Sequence, residues 1–300
     1  MVEGLIRLSN GRHLDYLETG PPDAPAVLYC HGTPGSRLEL LFAKPALDRN
    51  DVHARLMALN RPGYGRSSFV SSHGFLPWAR DVDEAADRLG LDRFAILGAS
   101  GGSPFALACA YSLADRIKKV GITAGVAPPD IPGMEQAAVL VNEYERTIRR
   151  VVRHGSLYLA NRMGLSPFLV RRLIASLGPA DRQALGDPEA TNVFQEIVGE
   201  AFAQWGRAAA LEAGLLMRPW DFDPSLVTQQ VRLWHGGDDT RIPAKVATAF
   251  TKRMPHAHRT VWPHHGHFSW AMSDDIADVI DFLTHGEDQR IFRDGQETTS

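Results

Sequence analysis

Gly98-Ala-Ser100-Gly-Gly102 constrains this chain more than any other stretch. It follows the apolar run Phe94-Ala-Ile-Leu97 and precedes the small-residue helical pattern Ser103-Pro-Phe-Ala-Leu-Ala-Cys-Ala110. A bare Gly-x-Ser-x-Gly arises by chance in many proteins. Between a strand and a helix it has the context of a nucleophile elbow. The backbone at such an apex is strained, and small residues must flank it because strand and helix crowd there. The serine hydroxyl then stands clear of the sheet, where a base and a substrate can reach it.

A chain of 300 residues has room for one large core domain with an insertion. With 44% hydrophobic and 22% charged residues, it has the composition of an ordinary globular protein. A net charge of -3 and the lack of a long basic tract argue against a nucleic-acid partner. Met1-Val-Glu-Gly-Leu-Ile-Arg has neither a basic start nor a sustained apolar run, so no secretory signal is read and the cytoplasm is the expected location. No apolar run is long enough to span a bilayer, and no membrane partner is expected. Cys30 and Cys109 lie in apolar runs and read as small core residues.

The first third alternates strand and helix patterns. Leu5–Ser9 and His13–Thr19 read as an N-terminal β pair. Ala26–Cys30, Leu56–Leu59, Phe94–Leu97 and Lys119–Ala124 read as strands, the apolar ones as buried on both faces. Arg37–Asp48 and Trp78–Leu89 carry helical spacing. This order predicts an α/β fold, a mostly parallel sheet with helices on both faces. Ala127-Pro-Pro-Asp-Ile-Pro-Gly133 breaks the rhythm. From there to Leu216 only helices are expected: Val139–Val152, Leu157–Met163, Pro167–Leu177, Pro179–Leu185 and Ala190–Ala213. Alternation resumes with strand Val231–His235, helix Pro243–Met254, strand His258–Trp262 and helix Met272–Leu283. The reading is a core of residues 1–127 and 226–286, an all-helical insert at 128–225, and a polar tail at 287–300. An insert that starts after a strand belongs over the carboxyl edge of the sheet, where such sheets bind ligands.

A serine hydroxyl is a poor nucleophile until a base takes its proton, and that base needs an orienting acid. Both candidates follow strands. His235-Gly-Gly-Asp238-Asp239-Thr-Arg-Ile-Pro243 supplies carboxylates, and His264-His265-Gly-His267-Phe268 supplies imidazoles. The chain order Ser, Asp, His is one of the three orders in which such triads occur.

These motifs make the chain resemble the α/β-hydrolase superfamily, in its fold-1 group with a helical cap. The resemblance runs from the first hairpin to the last helix. His31-Gly32-Thr33-Pro34-Gly35 resembles the oxyanion-loop motif. Asn60-Arg-Pro-Gly63-Tyr-Gly65-Arg66-Ser67 resembles the turn after the fourth strand, with Asn60 where most members have aspartate. Gly236-x-x-Asp239-x-x-x-Pro243 and Gly266-His267-Phe268 resemble the acid and histidine motifs. The resemblance implies an eight-stranded sheet, Ser100 as nucleophile, His267 as base and then acid, and Asp239 as orienting acid. It implies an oxyanion hole from the backbone N–H groups of Thr33 and Gly101. It implies no metal and no cofactor.

Alternatives stay open at this level. Asp238, or Asp130 after the sixth strand, competes with Asp239 for the role of acid; His264 and His265 compete with His267. His31, Arg61 and Arg66 are read as loop-holding residues. Gly32, Phe268, Trp270 and Trp205 are the candidate substrate contacts, and Phe202, Met217, Trp220, Tyr144 and Tyr158 could line a pocket, although aromatic and Met residues at helical spacing are more often simple core. Ser100 argues against the aspartate-nucleophile chemistry of haloalkane dehalogenases and epoxide hydrolases of this fold. The expected activity is hydrolysis of a small, largely apolar carboxylic ester by a monomer or homodimer. A prolyl-aminopeptidase-like peptidase is the enzymatic alternative. The amine-binding glutamate it would need is not matched at Gly206, after Trp205, and would have to be Glu196, Glu200 or Glu212. A non-catalytic small-molecule binder of the same fold is the other alternative.

Overall fold

The structure is a computed structural model that describes residues 1–49, 52–138 and 166–285. Eight strands form one sheet: β1 (Val2–Arg7), β2 (His13–Thr19), β3 (Ala26–Cys30), β4 (Arg55–Leu59), β5 (Phe94–Ala99), β6 (Ile117–Thr123), β7 (Gln230–Gly236) and β8 (Ala257–Trp262). Their spatial order is β1-β2-β4-β3-β5-β6-β7-β8. β2 runs antiparallel to β1 and β4, and every other pairing is parallel.

Parallel strands need crossovers, and helices supply them on both faces. α1 (Leu40–Arg49), α2 (Phe75–Arg88) and α3 (Ser103–Ser112) belong to the first half. α4 (Ser166–Ala175), α5 (Pro179–Leu185), α6 (Pro188–Ala201) and α7 (Arg207–Leu216) lie between β6 and β7. α8 (Ala244–Thr251) and α9 (Asp275–Thr284) complete the second half. One core packs α2, α3 and α8 under the sheet around Trp78, Phe105, Val246 and Phe250. A second packs α1 and α9 on the other face, and the insert residues Val170, Ile174, Leu185, Phe194 and Ile197 join it. β5 is buried along its whole length, as expected of a strand covered on both faces. α3 is apolar nearly all round and is buried from Ser103 to Ala110, with Pro104 in its first turn. Cys30 and Cys109 are free thiols in this core; burial pushes the Cys30 thiol up to about 12.

One expected helix is two. Ala190–Ala213 is broken between α6 and α7, where Trp205 and Gly206 both take positive φ, 66° and 67°. Glycine tolerates that region, and at Gly206 it lets the chain turn before α7 starts. The expected helices Val139–Val152 and Leu157–Met163, with Tyr144 and Tyr158, lie outside the described residues, as does the tail at 287–300. Among the described residues no helix is long and apolar enough to cross a membrane.

Candidate active site

The parallel strands β3, β5, β7 and β8 end on the same edge of the sheet, and the loops leaving them bring the motif residues together. Ser100 follows directly on β5 with φ of 49°. That is the left-handed region, costly for any residue with a Cβ. The close approach of α3 forces it. A Cβ on Gly98 would lie 2.8 Å from the Ala106 Cβ, and one on Gly102 would collide with the Cys30 carbonyl. Glycine at both positions is therefore steric necessity.

Ser100 Oγ lies 2.9 Å from His267 Nε2. His267 Nδ1 lies 2.8 Å from Asp239 Oδ2. The tautomer that satisfies both contacts has Nδ1–H donating to the carboxylate and Nε2 accepting from the serine hydroxyl. Asp239 is buried, and its Oδ1 accepts from the backbone N–H of Arg241 at 2.8 Å and Ile242 at 2.9 Å. Burial alone would raise its pKa; His267, and a hydrogen bond from His235, outweigh burial and hold it well below the usual carboxylate range. His235 also donates through Nε2 to the Ile242 carbonyl at 2.7 Å, which fixes its tautomer. Asp239 thus faces two imidazoles, only one of which reaches Ser100.

Thr33 and Gly101 adjoin across the loop after β3. A Cβ on Gly101 would lie 3.0 Å from the Thr33 nitrogen and 2.7 Å from its Cβ. The missing side chain leaves the space between these backbone groups open. Gly32 holds the same loop by donating its N–H to Glu39 Oε2 at 2.9 Å, and Tyr29 donates its hydroxyl to that oxygen at 2.7 Å. Burial raises the Glu39 pKa above the usual range.

A cavity of about 160 Å³ opens onto Ser100 and His267. Gly32, Thr33, Gly101, Phe268 and Trp270 line it, together with Tyr29, Glu39, Phe42, Phe194, Ile197 and Leu216. Trp205 does not. It is 45% exposed at the α6–α7 turn, because the positive-φ break swings it away from the site. Phe202 packs around Tyr64, and Trp220 packs against Phe75, Phe222 and Phe250, so both serve the core. Met217 also packs there. Asp238 and His264 are exposed, Asp130 pairs with Arg253 at 2.7 Å, and His265 pairs with Asp275 at 2.7 Å. None of these four touches Ser100 or His267 in the hydrogen-bond network.

The insert contributes three carboxylates to the loops around the site. Glu212 of α7 takes Arg61 Nε at 2.6 Å and accepts from the Thr33 and Tyr64 hydroxyls at 2.7 Å each, with His73 at 3.0 Å. Arg61 in turn donates to the carbonyls of His31 and Gly32. Burial alone would raise the Glu212 pKa; Arg61 overrides it and holds the carboxyl far below its usual range. Glu200 of α6 accepts from Asn60 Nδ2 and lies 3.0 Å from Arg37 Nε. Asp181 of α5 accepts from backbone N–H groups of the histidine loop. Glu200 and Glu212 are committed to these contacts, Glu196 is exposed, and none of the three lines the cavity.

Asn60 explains itself here. Its Oδ1 accepts from Arg37 N at 2.8 Å while its amide nitrogen faces the carboxylates of Glu200 and Asp15. An aspartate in its place could not donate to either. The roles of Glu39, Asp181 and His235 escaped the sequence reading, and Glu212 was read there only as a possible amine-binding residue, not as the partner of Arg61. Glu212 carried one signal, a lone charge inside the apolar run Ala208-Ala-Ala-Leu-Glu212-Ala-Gly-Leu-Leu216.

A stretch of 116 residues is 34% identical to haloalkane dehalogenase 2 of Mycobacterium bovis and covers 37% of this chain and 38% of that protein. A stretch of 121 residues is 27% identical to proline iminopeptidase of Neisseria gonorrhoeae, 38% of this chain and 37% of that one. The chain thus matches well under half the length of these relatives. In fold it resembles a thermophilic esterase from Thermogutta terrifontis, with a TM-score of 0.69 at 20% identity, over 94% of this chain and 97% of that one. A family model described as the alpha/beta hydrolase fold matches residues 25–270. The chain belongs to the alpha/beta hydrolase fold family.

Proposed function

We propose that this protein is a serine hydrolase that cleaves a small, largely apolar carboxylic ester through an acyl-enzyme. The observation that carries the proposal is the unbroken line of contacts from Ser100 Oγ through His267 to Asp239, 2.9 Å and 2.8 Å long. Ser100 Oγ attacks the ester carbonyl carbon as His267 Nε2 takes the hydroxyl proton. Asp239 stabilises the imidazolium that results. The backbone N–H groups of Thr33 and Gly101 receive the oxyanion, and as fixed donors they need no reorganisation. Collapse of the tetrahedral intermediate breaks the bond to the alcohol, which leaves with the proton from Nε2. Water then repeats the sequence on the acyl-enzyme and releases the acid and Ser100.

The apolar cavity supports a small acyl or alkyl group. Its volume of about 160 Å³ is comparable to an engineered cavity of about 150 Å³ that accepts benzene. Ser100, rather than an aspartate, at the apex argues against alkyl-halide displacement. We read residues 128–225 as the cap over this cavity, and the enzyme as cytoplasmic, acting on small molecules without a cofactor. The iminopeptidase relative keeps peptide chemistry as the second reading. The test is a panel of p-nitrophenyl acetate, p-nitrophenyl butyrate and prolyl p-nitroanilide with the parent and Ser100→Ala. Ester turnover lost in the variant supports the proposal. Faster turnover of the prolyl anilide would favour the peptidase, and inertness toward the whole panel would favour a binder.

A further inference from the structure

Asp181 stands in the first turn of α5, inside the insert, and its side chain is fully buried. Its Oδ2 accepts from His267 N at 2.8 Å. Its Oδ1 accepts from Phe268 N at 2.8 Å and Ser269 N at 3.0 Å. Three consecutive peptide N–H groups thus converge on one carboxylate borrowed from another part of the chain, 86 residues away for His267. The far side is closed by Gly266, where a Cβ would run into the carboxylate.

Among the described residues no cation pairs with Asp181. A buried carboxylate compensated by backbone N–H groups alone is tolerable only while those donors stay in place. The contact therefore serves as a strict gauge of where the histidine loop lies. The requirement is concrete. Asp239 fixes the imidazole at Nδ1, but the reach of Nε2 to Ser100 depends on where the His267 backbone sits. Trp270 Nε1 donates to the His267 carbonyl at 2.9 Å and fixes the other side of the same residue. Without Asp181 the His267 N–H has no fixed acceptor.

We infer that Asp181 is a positioning residue of the reaction: the insert places the catalytic imidazole by gripping the backbone of its loop. The inference rests on reading Ser100 and His267 as nucleophile and base. It makes docking of α5 and alignment of His267 a single event.

The experiment compares the full chain with Asp181→Asn, Gly266→Ala and Ser100→Ala. Asn keeps the size of the side chain but turns one acceptor into a donor facing N–H groups. Gly266→Ala displaces the carboxylate from the core side and decides the matter if Asp181→Asn does not fold. A fluorophosphonate, reacted to completion, counts the competent serines. Turnover of p-nitrophenyl butyrate is then expressed per counted site, which separates misfolding from misalignment. Turnover per site is expected to fall roughly 10–100-fold, the scale of a misplaced catalytic group, with KM within about threefold. The rate of fluorophosphonate labelling should fall in parallel, because it needs the same activated hydroxyl. Full turnover per site in a folded Asp181→Asn or Gly266→Ala, beside an inert Ser100→Ala, overturns this inference alone. An active Ser100→Ala overturns the triad reading and this inference with it.

Discussion

Glu212 Oε1 lies 2.6 Å from Arg61 Nε, and both side chains are sealed from solvent. One comes from the helical insert and the other from the loop after β4. Removing one partner of a buried pair strands the other charge, which typically costs about 3–5 kcal/mol. Glu212→Gln should therefore unfold at markedly lower urea concentration than the parent. The folded pKa of Glu212 lies below the unfolded value of about 4.3, so its contribution is complete above that pH and is lost as pH falls toward the folded value. The stability gap between parent and variant should close in acid. A gap that stays constant from neutral pH to pH ~3 would mean the pair contributes nothing through its charge.

The strain at Ser100 separates stability from activity. Its φ of 49° suits glycine better than serine, by about 1 kcal/mol. Ser100→Gly should raise the unfolding midpoint while turnover falls about 10³-fold or more. A variant less stable than the parent would show that the hydroxyl, not the backbone, dominates the local energetics.

Asp239 and Asp238 are adjacent in sequence and unlike in position. Asp239→Asn should lower kcat about 10³–10⁴-fold, since the imidazole loses the partner that fixes its tautomer. Asp238→Asn, at an exposed position, should leave kcat near the parent value. Steady-state kinetics on the two variants decides between them, and the reverse order would move the acid by one residue.

Gly101 keeps the space beside the Thr33 nitrogen open. Gly101→Ala should place a methyl there and reduce turnover about 10²–10³-fold, the usual effect of losing one oxyanion donor. Circular dichroism should show the fold retained. Ester turnover at the parent rate would remove Thr33 and Gly101 from the oxyanion hole.

Asn60→Asp would set a third carboxylate beside Asp15 and Glu200. A loss of about 1–3 kcal/mol is expected near neutral pH, from a lost donor and added repulsion. Thermal melts at neutral and acid pH test this, with the loss expected to shrink once carboxylates protonate.

Much of this architecture was legible in the chain because its signals are local. β2, β3 and α5 have the bounds that their residues suggest, and the Ser100 elbow declares itself through glycines that only a crowded turn requires. That Asp239 and His267 meet Ser100 was legible because each follows a strand, and parallel strands deliver their ends to one edge. The insert was harder. Periodicity placed α4 and α5 but not the break between α6 and α7, and the docking of these helices depends on single acids whose partners are distant in sequence. Nothing near Asp181 announces three N–H groups 86 to 88 residues away. Trp205 misled for a related reason: an aromatic at helical spacing reads as pocket or core until a backbone break turns it outward.

The anchoring of Asp181, Glu200 and Glu212 bears on how this scaffold could be re-engineered. Exchanging the insert for that of a relative, in order to import another specificity, would also remove an acceptor from each of three neighbouring loops. A productive chimera would have to carry Arg61, Arg37 and Asn60, with the turn at Gly266, as companions of whichever helices are grafted.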